Sequence, residues 1–458
     1  MDLNPDIFRQ YDIRGRVGED LTDESVSILA RSIGSYLCHQ SAKRISLAGD
    51  NRHSSDGFRA IMKEELSKSG LDVIDFGMIP TPVFYYTLFE YNVDGGIMIT
   101  GSHNPPDFNG FKIACHKATI FGDEIQKIRH LAEKGRFTVG KGAVETNDAK
   151  ESYMDRVFSD LSIGDEIDVA LDCGNGTAGV IVPHLFARFG FKSDYLFCEP
   201  DGDFPNHHPD PTVPEHLEAL IERVTTKGYD AGIAFDGDAD RIGVIDENGE
   251  IIWGDKLLII LARDIIARAP GAKVIFEVKC SQALVEAVER AGGVPIMWKT
   301  GHSLIKSKMK SEGAMLAGEM SGHIFFNDRY YGYDDAIYAA LRLLEVLSKH
   351  KGSLSSLLAD IPRYYATPEI RVDCPDREKF RIVEDLKSRL QSGHRIIDID
   401  GVRIVFDDGW GLVRASNTQP VLVLRFEARS EERLREIRRE VMDTLQAVGG
   451  KHVCLPEG

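Results

Sequence analysis

Three carboxylates alternate in the segment DGDADR, as Asp236, Asp238 and Asp240. Charges this close repel: two of them ~4 Å apart cost about 4 kcal/mol at an effective dielectric of 20. A hard divalent cation bound by oxygen ligands relieves that repulsion. The segment is not an EF-hand, although Glu247 falls at the last position of such a loop. Arg241 stands where the loop needs glycine, and the flanks read as strands. Magnesium ordinarily keeps several waters and one or two carboxylates, so three carboxylates plus an oxygen from Ser102 make a protein-rich shell. Arg241 is placed to pair with a carboxylate or to touch a substrate.

Three further segments carry chemistry. In TGSHNPPDFNGFK (100–112), Ser102 follows Gly101 at the exit of an apolar strand. That position predicts an exposed hydroxyl beside backbone N–H groups, which suits a nucleophile or a phosphate carrier. It is not the G-x-S-x-G elbow of esterases, because Asn104 fills the second glycine position. Lys112 supplies a point charge that reaches back toward a phosphate. GEMSGH (318–323) offers Glu319 and Ser321 to neighbouring sugar hydroxyls and His323 for proton exchange. RASNTQP (414–420) reads as an anion cradle of Arg414, Ser416, Asn417 and Thr418.

The elements that must position these loops repeat three times. Each unit runs strand, helix, strand, then a third strand ending in a polar loop. The units open at ISLAGDNR (45–52), IDVALDCGNGTAG (167–179) and KVIFEVKCSQAL (273–284), and they end at the three loops around Ser102, Asp238 and Ser321. Helical periodicity over 57–69 and 281–291 fits the intervening helices. Strands alternating with helices predict a doubly wound α/β sheet in each unit, with ligands beyond the carboxyl ends of the strands. After Pro362 two helices, 376–390 and 431–447, flank short strands at 395–399, 402–406, 411–415 and 421–428. The pairs Asp400-Gly401 and Asp408-Gly409 between those strands are hairpin signals, so this part is a smaller α+β domain with an antiparallel sheet. The expected domains are 1–147, 148–250, 251–363 and 364–458.

Composition narrows the function. At 458 residues the chain exceeds one core. A net charge of −17 excludes the basic footprint of a nucleic-acid binder. The seven cysteines are scattered and never spaced as CxxC, which argues against a disulfide framework or zinc and for a reducing compartment. No apolar run approaches the ~20 residues of a membrane span, the start shows no signal-peptide pattern, and the expected location is cytoplasmic.

Taken in order, FRQYDIRG (8–15), TGSHNPPDFNGFK, DGDADR, GEMSGH and RASNTQP resemble the α-D-phosphohexomutase superfamily, in its bacterial phosphomannomutase/phosphoglucomutase branch. The resemblance spans the whole chain. It implies four domains around a central cleft, three similar doubly wound α/β domains and a last one with a TATA-binding-protein-like α+β fold. It implies Ser102 as the phosphoserine, with Mg²⁺ on Asp236, Asp238, Asp240 and an oxygen of residue 102. Glu319 and Ser321 become the sugar-hydroxyl readers, and Arg414, Ser416, Asn417 and Thr418 the site of the non-transferring phosphate. Tyr11, Arg14, Lys112, Arg241, Lys279, His302 and His323 become active-site residues. The implied reaction interconverts hexose 1-phosphate and hexose 6-phosphate, of mannose or glucose, through a hexose 1,6-bisphosphate, and the partners are small phosphosugars. His302, His323, Lys112 and Arg14 are open alternatives for general acid or base. One departure stands out: Gly49 replaces the arginine common in the family's G-R-D-x-R segment, which removes an expected support of the Ser102 loop. Phosphoglucosamine mutase is the nearest rival, disfavoured by Met320 where it typically has Gln. A metal-dependent phosphatase and a non-catalytic sensor are further alternatives.

Overall fold

A computed structural model describes residues 3–164, 166–417 and 419–453. Three of its four sheets share one plan. In the first, parallel strands Asp72–Met78, Arg44–Gly49 and Gly95–Ile99 lie side by side, and Phe108–Cys115 returns antiparallel to the last of them. In the second, Lys192–Leu196, Asp168–Asp172 and Ala231–Phe235 are followed by antiparallel Ile242–Asp246. In the third, Val294–Trp298, Lys273–Glu277 and Leu316–Gly318 are followed by antiparallel Ile324–Phe326. Each chemistry-bearing loop therefore joins the third parallel strand to a return strand. Parallel strands direct their carboxyl ends to one edge, so the same plan delivers each loop to an equivalent place.

The sequence makes this plan through its apolar runs. Gly95–Ile99 (GGIMI) and Ala231–Phe235 (AGIAF) are buried along their whole length, as expected of strands covered on both faces. Helices Ser55–Lys68 and Gln282–Arg290 form where the periodicity indicates, the second capped by the Ser281 hydroxyl accepting from the N–H of Ala283. One hydrophobic cluster runs through all three units, from Ala48 past Phe235 and Phe276 to Leu354. The outer face of the first sheet packs separately, with Ile45, Leu47, Ile97 and Ile99 under helix Asp23–His39. Strand Ile13–Arg16 adds to this sheet against Phe108–Cys115, with Arg14 opposite Gly110. That pairing carries the segment around Tyr11 and Arg14 to the Ser102 loop.

The C-terminal unit is an antiparallel sheet in which Val421–Ala428, Gly409–Ala415, Val402–Phe406 and Arg395–Ile397 follow one another. Helices Asp376–Leu390 and Glu431–Gly449 pack on it and share its core of Ile404, Leu424, Phe426 and Val441. Asp400-Gly401 lies in the connection between Arg395–Ile397 and Val402–Phe406, but Gly409 already pairs with Phe406 as a strand residue, so Asp407-Asp408 makes the second turn. A small cluster of Val278, Trp410 and Leu412 ties this unit to the third. Arg403 stacks on Trp410 at 3.7 Å and donates to the carbonyls of Val278 (2.5 Å) and Cys280 (3.0 Å). Among the described residues no helix is long and apolar enough to cross a membrane.

Truncating Trp410 to alanine removes a ring only 2% exposed at this junction, a change worth ~3–5 kcal/mol. Hydrogen exchange in strand 421–428 is expected to accelerate while strand 95–99 keeps its protection; equal protection of both strands in the variant contradicts the separate core.

Candidate active site

Ser102 is buried, not exposed as its strand-exit position suggested: 3% of it is accessible. The carboxylate-bearing loop of the second unit lies directly over it, and Ser102 Oγ donates to Asp236 Oδ2 at 2.8 Å. The neighbouring backbone N–H is also occupied, since Ser102 N donates to Thr100 Oγ1 at 2.8 Å. Ser102 holds φ +49°, in the left-handed region that non-glycine residues rarely adopt. Arg52 stabilises this turn. Its buried guanidinium donates to the carbonyls of Ser102, Asn104, Pro105 and Phe108 at 2.5–2.9 Å. The support expected to be missing with Gly49 is thus supplied by Arg52. On the facing loop, a Cβ at Gly237 would lie 2.5 Å from the Ser102 carbonyl, so only glycine permits this approach.

Asp236, Asp238 and Asp240 are fully buried, and one ligand oxygen from each falls within 4.8 Å of the others. Lys112 does not point at an incoming phosphate. Its ammonium bonds Asp238 Oδ2 at 2.7 Å and also Asp240 Oδ2, because the register Met98↔Lys112 sets it under the second unit's loop. Thr81 adds a hydrogen bond to Asp238 at 2.6 Å, and the N–H groups of Asp240 and Arg241 donate to Asp236 Oδ1. Asp238 Oδ1 and Asp240 Oδ1 remain buried without a partner. Unsatisfied buried carboxylate oxygens are costly, and two of them in a three-carboxylate cluster fit a divalent cation. Burial and then the adjacent Asp240 and Asp238 push Asp236 well above the usual carboxylate range. Asp238 goes the other way: Lys112 overcomes the effect of burial and holds it ionised.

The remaining loops close on the same cleft. Tyr11 donates its hydroxyl to the Thr300 carbonyl at 2.8 Å and accepts from Asn417 Nδ2 at 3.1 Å, joining the first, third and fourth units. Arg14 donates to Asn104 Oδ1 and Asp12 Oδ2, both at 2.6 Å. Arg241 Nε donates to His323 Nε2 at 3.0 Å rather than to a carboxylate. His323 Nδ1 lies 3.0 Å from the Asp240 carbonyl. Glu319 is buried and accepts from Gly301 N at 2.6 Å; burial, outweighing the nearby His323, raises its pKa. Ser321 is half-buried beside it. His302 stacks on His323 with centroids 5.6 Å apart. Lys279 Nζ bonds Glu369 at 3.0 Å, and Arg414 Nε bonds Asp400 at 3.1 Å. Asp400 also accepts from Thr300 N, so the Arg414 loop is fastened to the third unit. Ser416 Oγ accepts from Gln419 N within its turn. Thr418 lies outside the described residues.

Several contributors escaped the sequence reading. Arg52 follows a different strand exit, but the Asp50-x-Arg52 pair beside a Ser-bearing loop was an available signal. His103, whose Nδ1 is 3.1 Å from Ser102 Oγ, sits inside the quoted loop. Thr81 carries no local signal, and Asp400 only that of a hairpin turn.

A buried serine against a buried carboxylate cluster, brought together by three units of one topology and a fourth of another, is the arrangement of a phosphoryl-transfer enzyme. Family models for phosphoglucomutase/phosphomannomutase alpha/beta/alpha domains I, II and III match residues 5–139, 151–249 and 253–365, and the model of the C-terminal domain matches 369–444. The chain belongs to the phosphoglucomutase/phosphomannomutase family of the α-D-phosphohexomutase superfamily. It is 46% identical to a phosphomannomutase/phosphoglucomutase of Pseudomonas aeruginosa, over 97% of this chain and 96% of that one. It is 42% identical to a phosphoglucomutase of Neisseria gonorrhoeae, over 95% and 96%. The crystal structure of a phosphoglucomutase/phosphomannomutase family protein from Burkholderia thailandensis superposes with a TM-score of 0.94 at 39% identity, covering 99% of this chain and 100% of that one.

Gly237→Ala is expected to separate the two central loops and lower turnover about 100-fold, the cost of a 1 Å misplacement, with the circular dichroism spectrum unchanged. Turnover equal to wild type would show that the close approach is dispensable.

Proposed function

We propose that the chain interconverts hexose 1-phosphate and hexose 6-phosphate, of mannose and glucose, with Ser102 as the phosphoryl carrier. The observation that carries this reading is Ser102 Oγ, 2.8 Å from Asp236 within the carboxylate cluster. The Arg414 loop reaches the same cleft through Asn417 and Tyr11. A mutase needs both ends: one site that transfers a phosphoryl group and another that holds the phosphate not reacting.

A sugar hydroxyl, O1 or O6, attacks the phosphorus of phosphorylated Ser102, and the P–Oγ bond breaks. The hydroxyl proton passes to an imidazole, and Oγ leaves as the alkoxide, whose charge a cation on Asp236, Asp238 and Asp240 would offset. The resulting hexose 1,6-bisphosphate turns around in the cleft. Oγ then attacks the other phosphate, the P–O bond to the sugar breaks, and the imidazolium reprotonates the freed sugar oxygen. Mg²⁺, held by Asp236, Asp238 and Asp240, would supply charge compensation for the transferring group. Arg14 orients and neutralises the transferring group from the protein side, while Lys112 neutralises Asp238 and Asp240. Lys279, Arg414, Ser416, Asn417 and Thr418 would bind the distal phosphate.

Among the proton-exchange candidates, Lys112 is committed to two carboxylates, and arginine does not deprotonate, which leaves the two imidazoles, His302 and His323. Glu319 and Ser321 would read O3 and O4, which glucose and mannose share. Galactose, inverted at C4, leaves a buried polar group unpaired at a cost of ~1–3 kcal/mol.

Ser102→Ala is expected to abolish sustained turnover of glucose 1-phosphate and mannose 1-phosphate in the presence of Mg²⁺. Arg414→Ala should raise KM about 10- to 150-fold, the equivalent of one charged hydrogen bond. Steady turnover by the Ser102→Ala protein rejects the carrier role, and release of inorganic phosphate by the wild type in place of isomerised sugar selects a phosphatase instead.

A further inference from the structure

A buried carboxylate that takes no part in the transfer steps closes the central strand of the third unit. Glu277 is the last residue of Lys273–Glu277 and is fully buried. The parallel strands on either side end beside it, because the register pairs Glu277 with Trp298 and Phe276 with Gly318. Each of the three strands sends a donor back from the second residue beyond its end. Lys279 N donates to Glu277 Oε2 at 3.1 Å, the Thr300 hydroxyl donates to the same oxygen at 2.8 Å, and Met320 N donates to Oε1 at 3.3 Å. Each donor belongs to a segment that lines the cleft. Lys279 carries an ammonium of the proposed distal phosphate site, itself 3.7 Å from Oε1. Met320 stands between Glu319 and Ser321. Thr300 is a junction: its carbonyl accepts from Tyr11 at 2.8 Å, its N–H donates to Asp400 at 3.1 Å, and the next N–H, of Gly301, donates to Glu319 at 2.6 Å.

We propose that Glu277 is a positioning residue: by accepting from the exits of three parallel strands it fixes the spacing between Glu319 and Ser321, which read the sugar, and Lys279 and Arg414, which hold the distal phosphate. This rests on the mutase reading above. Three donors on two oxygens call for a side chain that only accepts, which an ionised carboxylate does and an amide does not. A carboxylate buried to this degree is tolerated beside cations, and the cations here are the two that would receive the phosphate. Burial lowers the pKa of each, but Glu277 and then Glu369 outweigh it for Lys279, and Asp400 and then Glu277 outweigh it for Arg414. A cap for buried strand ends accounts for the two backbone donors. It does not account for the Thr300 hydroxyl, whose bond fixes the segment that meets Tyr11, Asp400 and Glu319. A hexose phosphate spans both sites in either orientation, so a shift between them weakens the ground state and the transition state alike.

The substitution Glu277→Gln tests the assignment, because whichever way the amide turns its NH₂ meets a donor, Met320 N on one side or Lys279 N on the other. The expected result is a KM about 10-fold higher or more for both glucose 1-phosphate and glucose 6-phosphate, the scale of one hydrogen bond to a charged group, with kcat within about threefold of wild type. Glu277→Asp, which keeps two acceptor oxygens, should recover part of the loss. A carboxylate that serves stability alone predicts the opposite split, fewer active molecules and so a lower kcat at unchanged KM. A Glu277→Gln enzyme with KM within about threefold of wild type therefore overturns the proposal. Thr300→Val and Thr300→Ser isolate one of the three bonds without touching the carboxylate: KM should rise in the valine variant and stay near wild type in the serine variant, and equal KM values in the two overturn the proposal even where Glu277→Gln does not fold. A wild type that fails to isomerise hexose phosphates defeats the mutase reading instead. The Kd of glucose 1-phosphate, measured by calorimetry for wild type and Glu277→Gln, then decides the role of Glu277, and equal values, or no binding to the wild type, count against it.

Discussion

Three aspartates at zero exposure within a few ångströms of one another are the constraint around which the molecule is organised. A buried carboxylate without compensation is prohibitive. Much of the compensation here comes from outside the unit that carries the aspartates. Lys112, Thr81 and the Ser102 hydroxyl are contributed by the first unit, and the third unit's His323 accepts from Arg241 and donates to the Asp240 carbonyl. Even so, two carboxylate oxygens stay unsatisfied. Convergence of separate segments on one point is what makes this charge density tolerable, and the residual deficit is what gives a divalent cation its place.

The remaining architecture divides into a rigid part and an attached one. One continuous apolar cluster fuses the first three units, so the Ser102 loop, the carboxylates and the Glu319 loop are fixed relative to one another. The fourth unit has its own core and reaches the others mainly through polar contacts: Asp400 to Thr300, Asn417 to Tyr11, Glu369 to Lys279 and Arg403 to backbone carbonyls. Domains joined in this way are expected to move relative to one another. Such an arrangement suits a cleft that holds transfer chemistry rigidly at one end and must let a bisphosphate reorient at the other.

The alternation of Asp236, Asp238 and Asp240 was legible because three like charges at that spacing have few innocent explanations. The three-fold repeat was legible because apolar runs and polar exits recur in the same order. The antiparallel strand after each loop was not, since Ile242–Asp246 looks locally like any buried strand. Burial of Ser102 escaped because a strand exit is solvent-facing within its own unit and is covered only by another. Partner choice failed for the same reason. Lys112 and Arg241 were recognised as cations, but which atoms they meet depends on how units pack, and neither spacing nor propensity encodes that. Arg52 carried a signal in Asp50-x-Arg52, but the carbonyls it reaches emerge only in three dimensions.

Anomalous diffraction from crystals grown with Mn²⁺ tests the central claim most directly, because manganese is a hard, oxygen-seeking substitute whose position is seen independently of the protein. The account predicts one strong peak in contact with Asp236, Asp238, Asp240 and the oxygen of residue 102. A peak confined to the exposed His53, Asp201 and Asp203 group, or no peak at the buried carboxylates, would contradict it.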